Sequence, residues 1–131
     1  MIIEQAIHDE LLASAVTDLV GQNIYYVKAP QDVTAPYVVL TKITSDRKHT
    51  YEGAVNLCES TFQISIFSDR YYETKQIAAQ VQAVLDSYSG IMGGDSGVIV
   101  NACFYEAEND LYEDGVDLHH LACDYRLWHN D

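Results

Sequence analysis

Residues 55–67 alternate in character: Phe62, Ile64 and Ile66 are apolar, and Gln63 and Ser65 between them are polar. A period of two places the two sets on opposite faces of a strand, so this segment rests one face on a core and turns the other to water. A strand of that kind needs a neighbour, because an isolated strand leaves its backbone donors and acceptors unpaired. The neighbour lies upstream. Residues 37–44 hold Tyr37, Val38, Val39, Leu40 and Ile43, a β-prone run. The intervening residues 45–53 are polar, charged and end in Gly53. The two runs predict a long hairpin with its tip at 45–53.

The rest of the chain supplies elements to cover one face of that hairpin. Residues 2–20 read as a helix, with Ile3, Ile7 and Leu11 at four-residue steps, Leu12, Val16 and Leu19 beside them, and Gly21 as the stop. Residues 23–27 are a short strand. Residues 29–36 hold both prolines, Pro30 and Pro36, and read as a loop. Ser68 or Asp69 is expected to cap a second helix running to about Tyr88, with Ile77, Val81, Val84 and Leu85 as its apolar stripe and Ala78 alongside. Gly90, Gly93, Gly94 and Gly97 mark 89–97 as a turn or loop. Residues 98–106 are a third long strand, 109–117 an acidic turn around Gly115, and 118–129 a closing strand with Leu121, Cys123, Tyr125 and Leu127 on one face. The order α, β, β, β, α, β, β predicts an α+β fold in one domain over residues 1–131. It is a mostly antiparallel sheet with two helices packed on one face, which leaves the other face free to meet a partner.

The charge narrows the function. The chain carries 7 Lys and Arg against 20 Asp and Glu, a net −13 over 131 residues. Phosphate neutralisation needs clustered cations, so neither nucleic acid nor an anionic membrane surface is an expected partner. No apolar run is long enough to span a bilayer, and no secretory signal is visible. Cys58, Cys103 and Cys123 are odd in number and widely spaced, which is no disulfide framework and suits a reducing cytoplasm.

A search for chemistry finds no convergent set. There is no phosphate-binding glycine loop and no Gly-x-Ser-x-Gly elbow. In His119-His120-x-x-Cys123 the two histidines point to opposite faces of a strand, so only one can join Cys123, with His129 and Cys103 elsewhere. Glu106, Glu108, Asp110, Glu113, Asp114 and Asp117 lack the ordered ligands and glycine placement of a calcium loop, and read as a solvated turn. The expectation is no catalytic residue, no cofactor and no metal. Arg47, Lys48 and His49, beside Tyr51, are the one local basic cluster. A cationic tip on an acidic molecule suits docking on an acidic neighbour, so these four are the candidate interface residues.

The order of segments resembles the tail-completion, or tail-terminator, proteins of long-tailed bacteriophages and prophages. The opening helix ends in Leu19-Val20-Gly21, followed by Asn23-Ile24-Tyr25 and by Pro36-Tyr37-Val38-Val39 after Pro30. Phe62-Gln63-Ile64-Ser65-Ile66-Phe67 leads into a helix that begins near Tyr72-Glu73-Thr74. The end is Glu108-Asn109-Asp110-Leu111-Tyr112-Glu113 and the strand Asp124-Tyr125-Arg126-Leu127-Trp128-His129. The resemblance spans nearly the whole chain and implies a role, not a reaction. It implies a non-enzymatic virion subunit, assembled in the host cytoplasm, that forms a ring, often a hexamer, on the last layer of the tail tube. Its expected partners are copies of itself, the tail-tube protein and the head-neck connector proteins. The alternatives are a head-completion or neck connector subunit, and a small ligand-binding α+β domain.

Overall fold

Pairing of β-prone segments with opposite partners builds the centre of the molecule. The computed structural model describes residues 1–50 and 53–130, the side chains of 49–56 excepted. Its elements are α1 (Ile3–Leu12), α2 (Thr17–Val20), β1 (Ile24–Tyr26), β2 (Tyr37–Thr50), β3 (Gly53–Ser68), α3 (Tyr71–Leu85), β4 (Gly90–Met92), β5 (Val98–Glu113) and β6 (Leu118–Asn130). The strands form one sheet in the order β1-β2-β3-β6-β5-β4. Among the described residues only β1 and β2 run parallel; every other pair is antiparallel.

Register decides which residues meet. Phe62 lies opposite Tyr125, Ile64 opposite Cys123 and Ile66 opposite Leu121. Facing residues of an antiparallel pair project to the same side, and all six are buried. Val38 and Leu40 from β2 and Val100 and Cys103 from β5 extend that layer. The helices close it from one side with Ile3, Ala6, Ile7 and Leu11 of α1 and Ile77, Val81 and Leu85 of α3. Each such large side chain contributes roughly 1.5–3 kcal/mol on burial. The α+β reading therefore stands: helices on one face, the other free of helices, though Val39, Ser65 and Ala122 on it are buried beside the 27–35 loop.

Five local expectations change. The first helix is broken after Leu12. The Ser14 hydroxyl donates to the Leu11 carbonyl at 2.6 Å and accepts from the Val16 N–H at 3.2 Å, and such side-chain bonds compete with the helical ladder. Val16 and Val20 stay buried across the break. Second, Arg70, not Ser68 or Asp69, sits at the N-cap of α3 and makes no side-chain cap. Ser68 acts from two residues upstream, accepting the Arg70 N–H at 3.1 Å and donating to Glu73 at 2.6 Å. Third, the glycine-rich segment 89–97 contains β4, which pairs with residues 98–100 and buries Met92 completely. Fourth, β5 runs on through the acidic residues to Glu113, confining the turn to 114–117. Asn109 and Asp110 have low strand propensity, but pairing with Ala122 and Leu121 of β6 overrides it. Fifth, the first hairpin is longer in the same way, with β2 reaching Thr50 and β3 starting at Gly53.

The β2–β3 hairpin outruns the core at one end of the sheet. The β3–β6 pairing stops at Leu57–Asn130 on one end and Ser68–His119 on the other. Beyond the first end projects the tip of β2–β3; the second end is passed only by the β5–β6 turn, and there every residue of β5 from Glu106 to Tyr112 is exposed along the sheet's edge.

Candidate functional site

The open face of the sheet follows from the register. On β6 the residues between the core positions are His120, Ala122, Asp124, Arg126 and Trp128. A row runs across it from Tyr37 through Phe67 to His120. The Tyr37 and Phe67 rings stack at 4.8 Å, and Phe67 and His120 at 4.2 Å. His120 Nδ1 lies 2.9 Å from Glu113, while its Nε2 is buried with no protein partner. Beside this row lies a recess of about 600 Å³, walled by Pro30, Val33, Val116 and Leu118. Toward the other end, Arg126 lies over the Trp128 ring at 4.7 Å. Arg126 also pairs with Glu106 at 2.6 Å and reaches Glu59 at 3.5 Å. Phe104 meets Trp128 edge-on at 5.8 Å. Phe104, Ile91 and Ile99 are each about half exposed, an apolar strip of the kind that marks contact surfaces.

The basic cluster that the sequence singled out falls on the β2–β3 arm. Arg47 is exposed, and its guanidinium donates to the Cys58 sulfur at 3.3 Å. Lys48 pairs with Glu59 at 3.0 Å. The His49 side chain and Tyr51 lie outside the described residues. The structure thus puts Arg47 and Lys48 on one projecting arm, with Lys48 joined through Glu59 to Arg126 and so to the neighbourhood of Trp128; the sequence pattern alone did not single out these open-face aromatics. The signal was present in β6, where His120, Arg126 and Trp128 alternate with core residues.

The chemistry-bearing groups are arranged for structure. Ser60 Oγ and His129 Nε2 lie 2.7 Å apart, and Nδ1 of that ring is 3.3 Å from the Asn130 carbonyl. Both residues are buried, and among the described residues no carboxylate hydrogen-bonds to the ring as a triad requires. Burial lowers the His129 pKa, partly countered by the Asn130 carbonyl. Burial pushes the Cys103 thiol up to about 12 and Cys123 up to about 11, so both stay protonated and poorly nucleophilic at neutral pH. Burial likewise raises Tyr105, whose hydroxyl donates to Glu108 at 2.7 Å. His119 contacts Tyr71 and Tyr112 on the helix side, opposite to His120. Among the described residues no three His, Cys, Asp or Glu side chains gather as a metal site. Of the acidic group, Glu106 turns to the open face at a bulge, whereas Asp110 meets Lys75 of α3 at 2.7 Å.

The exposed polar and aromatic groups thus lie on the helix-free sheet face, on the β2–β3 hairpin and along the edge of β5. The fold is shared with a chain from the virion of a native gene transfer agent particle: TM-score 0.82 and 20% identity, covering 98% of this chain and 95% of that one. A second solved structure matches at TM-score 0.59 and 16% identity, over 95% of this chain and 92% of that one. No curated protein matches the sequence. Residues 5–130 match the family described as tail completion protein gp17, and the chain belongs to that family. It is a family of structural phage-tail proteins, as the resemblance in the sequence implied.

Proposed function

We propose that this chain is a tail terminator: a virion subunit that forms a ring, a hexamer in the simplest case, on the last layer of the tail tube. There it stops tube growth and presents a surface to the neck of the head. The observation that carries this reading is family membership over residues 5–130. The gene transfer agent particle, whose virion holds a chain of the same fold, supports it. So does the architecture. A ring needs two different surfaces on each copy, because a head-to-tail contact closes when its rotation is right, and the β2–β3 arm and the exposed β5 edge at the opposite end supply them. The β2–β3 arm, with Arg47, Lys48, His49 and Tyr51, docks on an acidic neighbour. The net charge of −13 suits a passage through which DNA slides without adhering. Among the described residues no helix is long and apolar enough to cross a membrane.

The test is electron microscopy of particles made without this protein. Overlong or headless tails are the expected result. Heads that leak DNA beside tails of normal length would place the chain in the neck instead.

A further inference from the structure

The sheet's edges are unusually bare. Its outermost strands, β1 and β4, are 3 residues each, but they flank β2 of 14 and β5 of 16. β1 covers only Val38–Leu40 of β2. β4 covers Val98–Val100 of β5, and Ser87 and Asp86 then hold the Cys103 carbonyl and the Tyr105 N–H. Among the described residues, nothing pairs with the outer edge of β2 beyond residue 41 or of β5 beyond 106. Such edges are templates for another strand, and folded proteins usually blunt them with proline or by keeping them short. Neither stretch contains proline, and each presents large apolar groups to solvent: Ile43 at 52%, Leu111 at 48% and Tyr112 at 50% exposure.

The two edges also differ in charge. Residues 106–117 hold Glu106, Glu108, Asp110, Glu113, Asp114 and Asp117 and no Lys or Arg. Residues 41–48 hold Lys42, Arg47 and Lys48 against Asp46 alone. Within so acidic a molecule, β5 against its own copy would set acid on acid, whereas β5 against β2 sets acid on base. Direction agrees. Strands alternate along β2-β3-β6-β5, so β2 and β5 run opposite ways, and a neighbour placed alongside meets β2 with an antiparallel β5. The free stretches lie at opposite ends of the sheet, so the neighbour is displaced along the strand axis, which keeps β1 and β4 clear of the contact.

We infer that the free edge of β5, residues 106–113, adds as an antiparallel strand to the free edge of β2, residues 41–48, of a second copy of this chain. The inference rests on the ring reading and names the surfaces that close it. Glu106 then lies near Lys48 of the second copy on the open face, and Glu108 near its Arg47 on the helix side. The contact is heterologous, so every copy gives one edge and receives the other.

A photo-reactive benzoylphenylalanine in place of Leu111, introduced during particle production, tests it. Illumination of assembled tails is expected to give covalent dimers whose cross-link maps to residues 41–50 of the second copy. The same probe in place of Tyr72, on α3, is expected to give none at that segment. Arg47→Glu and Glu108→Arg should each lower the amount of the protein on tails by about tenfold, and the two combined should restore most of it. Cross-links to any other segment, or none in tails that carry the protein, would overturn the strand-addition inference. The terminator reading fails separately, if particles lacking the protein have tails of normal length joined to heads.

Discussion

Truncating Leu85 to alanine tests how α3 seals the helix side of the sheet. Leu85 is the last residue of α3 and is fully buried within the core cluster. The change removes the three carbons beyond Cβ, about 2.4 kcal/mol of lost burial at about 0.8 kcal/mol per carbon. Incomplete collapse of the surroundings adds a cavity penalty, giving a loss of about 2–5 kcal/mol. A folded chain of this size is stable by only about 5–15 kcal/mol, so the loss is a large fraction of the total. Val84, one residue earlier, looked equivalent in the apolar stripe but is only partly buried. Val84→Ala should cost about 1 kcal/mol or less. Urea melts with an unchanged slope measure both differences. A loss below about 0.5 kcal/mol for Leu85→Ala, or equal losses for the two variants, would refute the packing of α3 on this sheet.

Two further outcomes follow from the same core. Gly93 has φ +90°, and a Cβ there would lie 2.7 Å from the Met1 sulfur and 2.9 Å from the Ala6 Cα. The sulfur can swing aside, but the α1 backbone cannot, so Gly93→Ala should cost about 2–4 kcal/mol. Gly94→Ala, at φ +95° in open space, should cost only the backbone strain, about 1–2 kcal/mol; equal denaturant midpoints would count against the contact with α1. His129 is buried with its pKa held below the ordinary 6.5. The unfolded chain therefore binds the proton first, and the stability that the neutral ring contributes is fully present above pH 6.5 and lost as pH falls through the lower folded value. Wild-type protein should lose more stability between neutral and mildly acidic pH than His129→Gln; parallel curves would mean that His129 does not titrate on unfolding.

The sequence by itself determined the class of fold, because hydrophobic period is a local property. The alternation at Phe62, Ile64 and Ile66, the stripe at Ile77, Val81 and Leu85, and the face Leu121, Cys123, Tyr125 and Leu127 all emerge as core. Net charge, which needs no geometry, marked the chain as strongly acidic. The family resemblance was legible in the order of the same segments. Tertiary structure decided where elements end and what meets across the sheet. β5 reaches Glu113 because β6 offers it a partner, against the preference of Asn109 and Asp110. β4 exists because Met92 has a core to enter. The helix break at Ser14 depends on one hydroxyl reaching two backbone groups. Arg47 and Lys48 read as a free basic tip, yet each finds a partner on the returning strand, at Cys58 and Glu59. The row Tyr37, Phe67, His120 joins residues from three strands distant in the chain. Its existence, like that of the bare edges of β2 and β5, depends on register and strand order, and those are set by which long-range pairings bury the most apolar surface together.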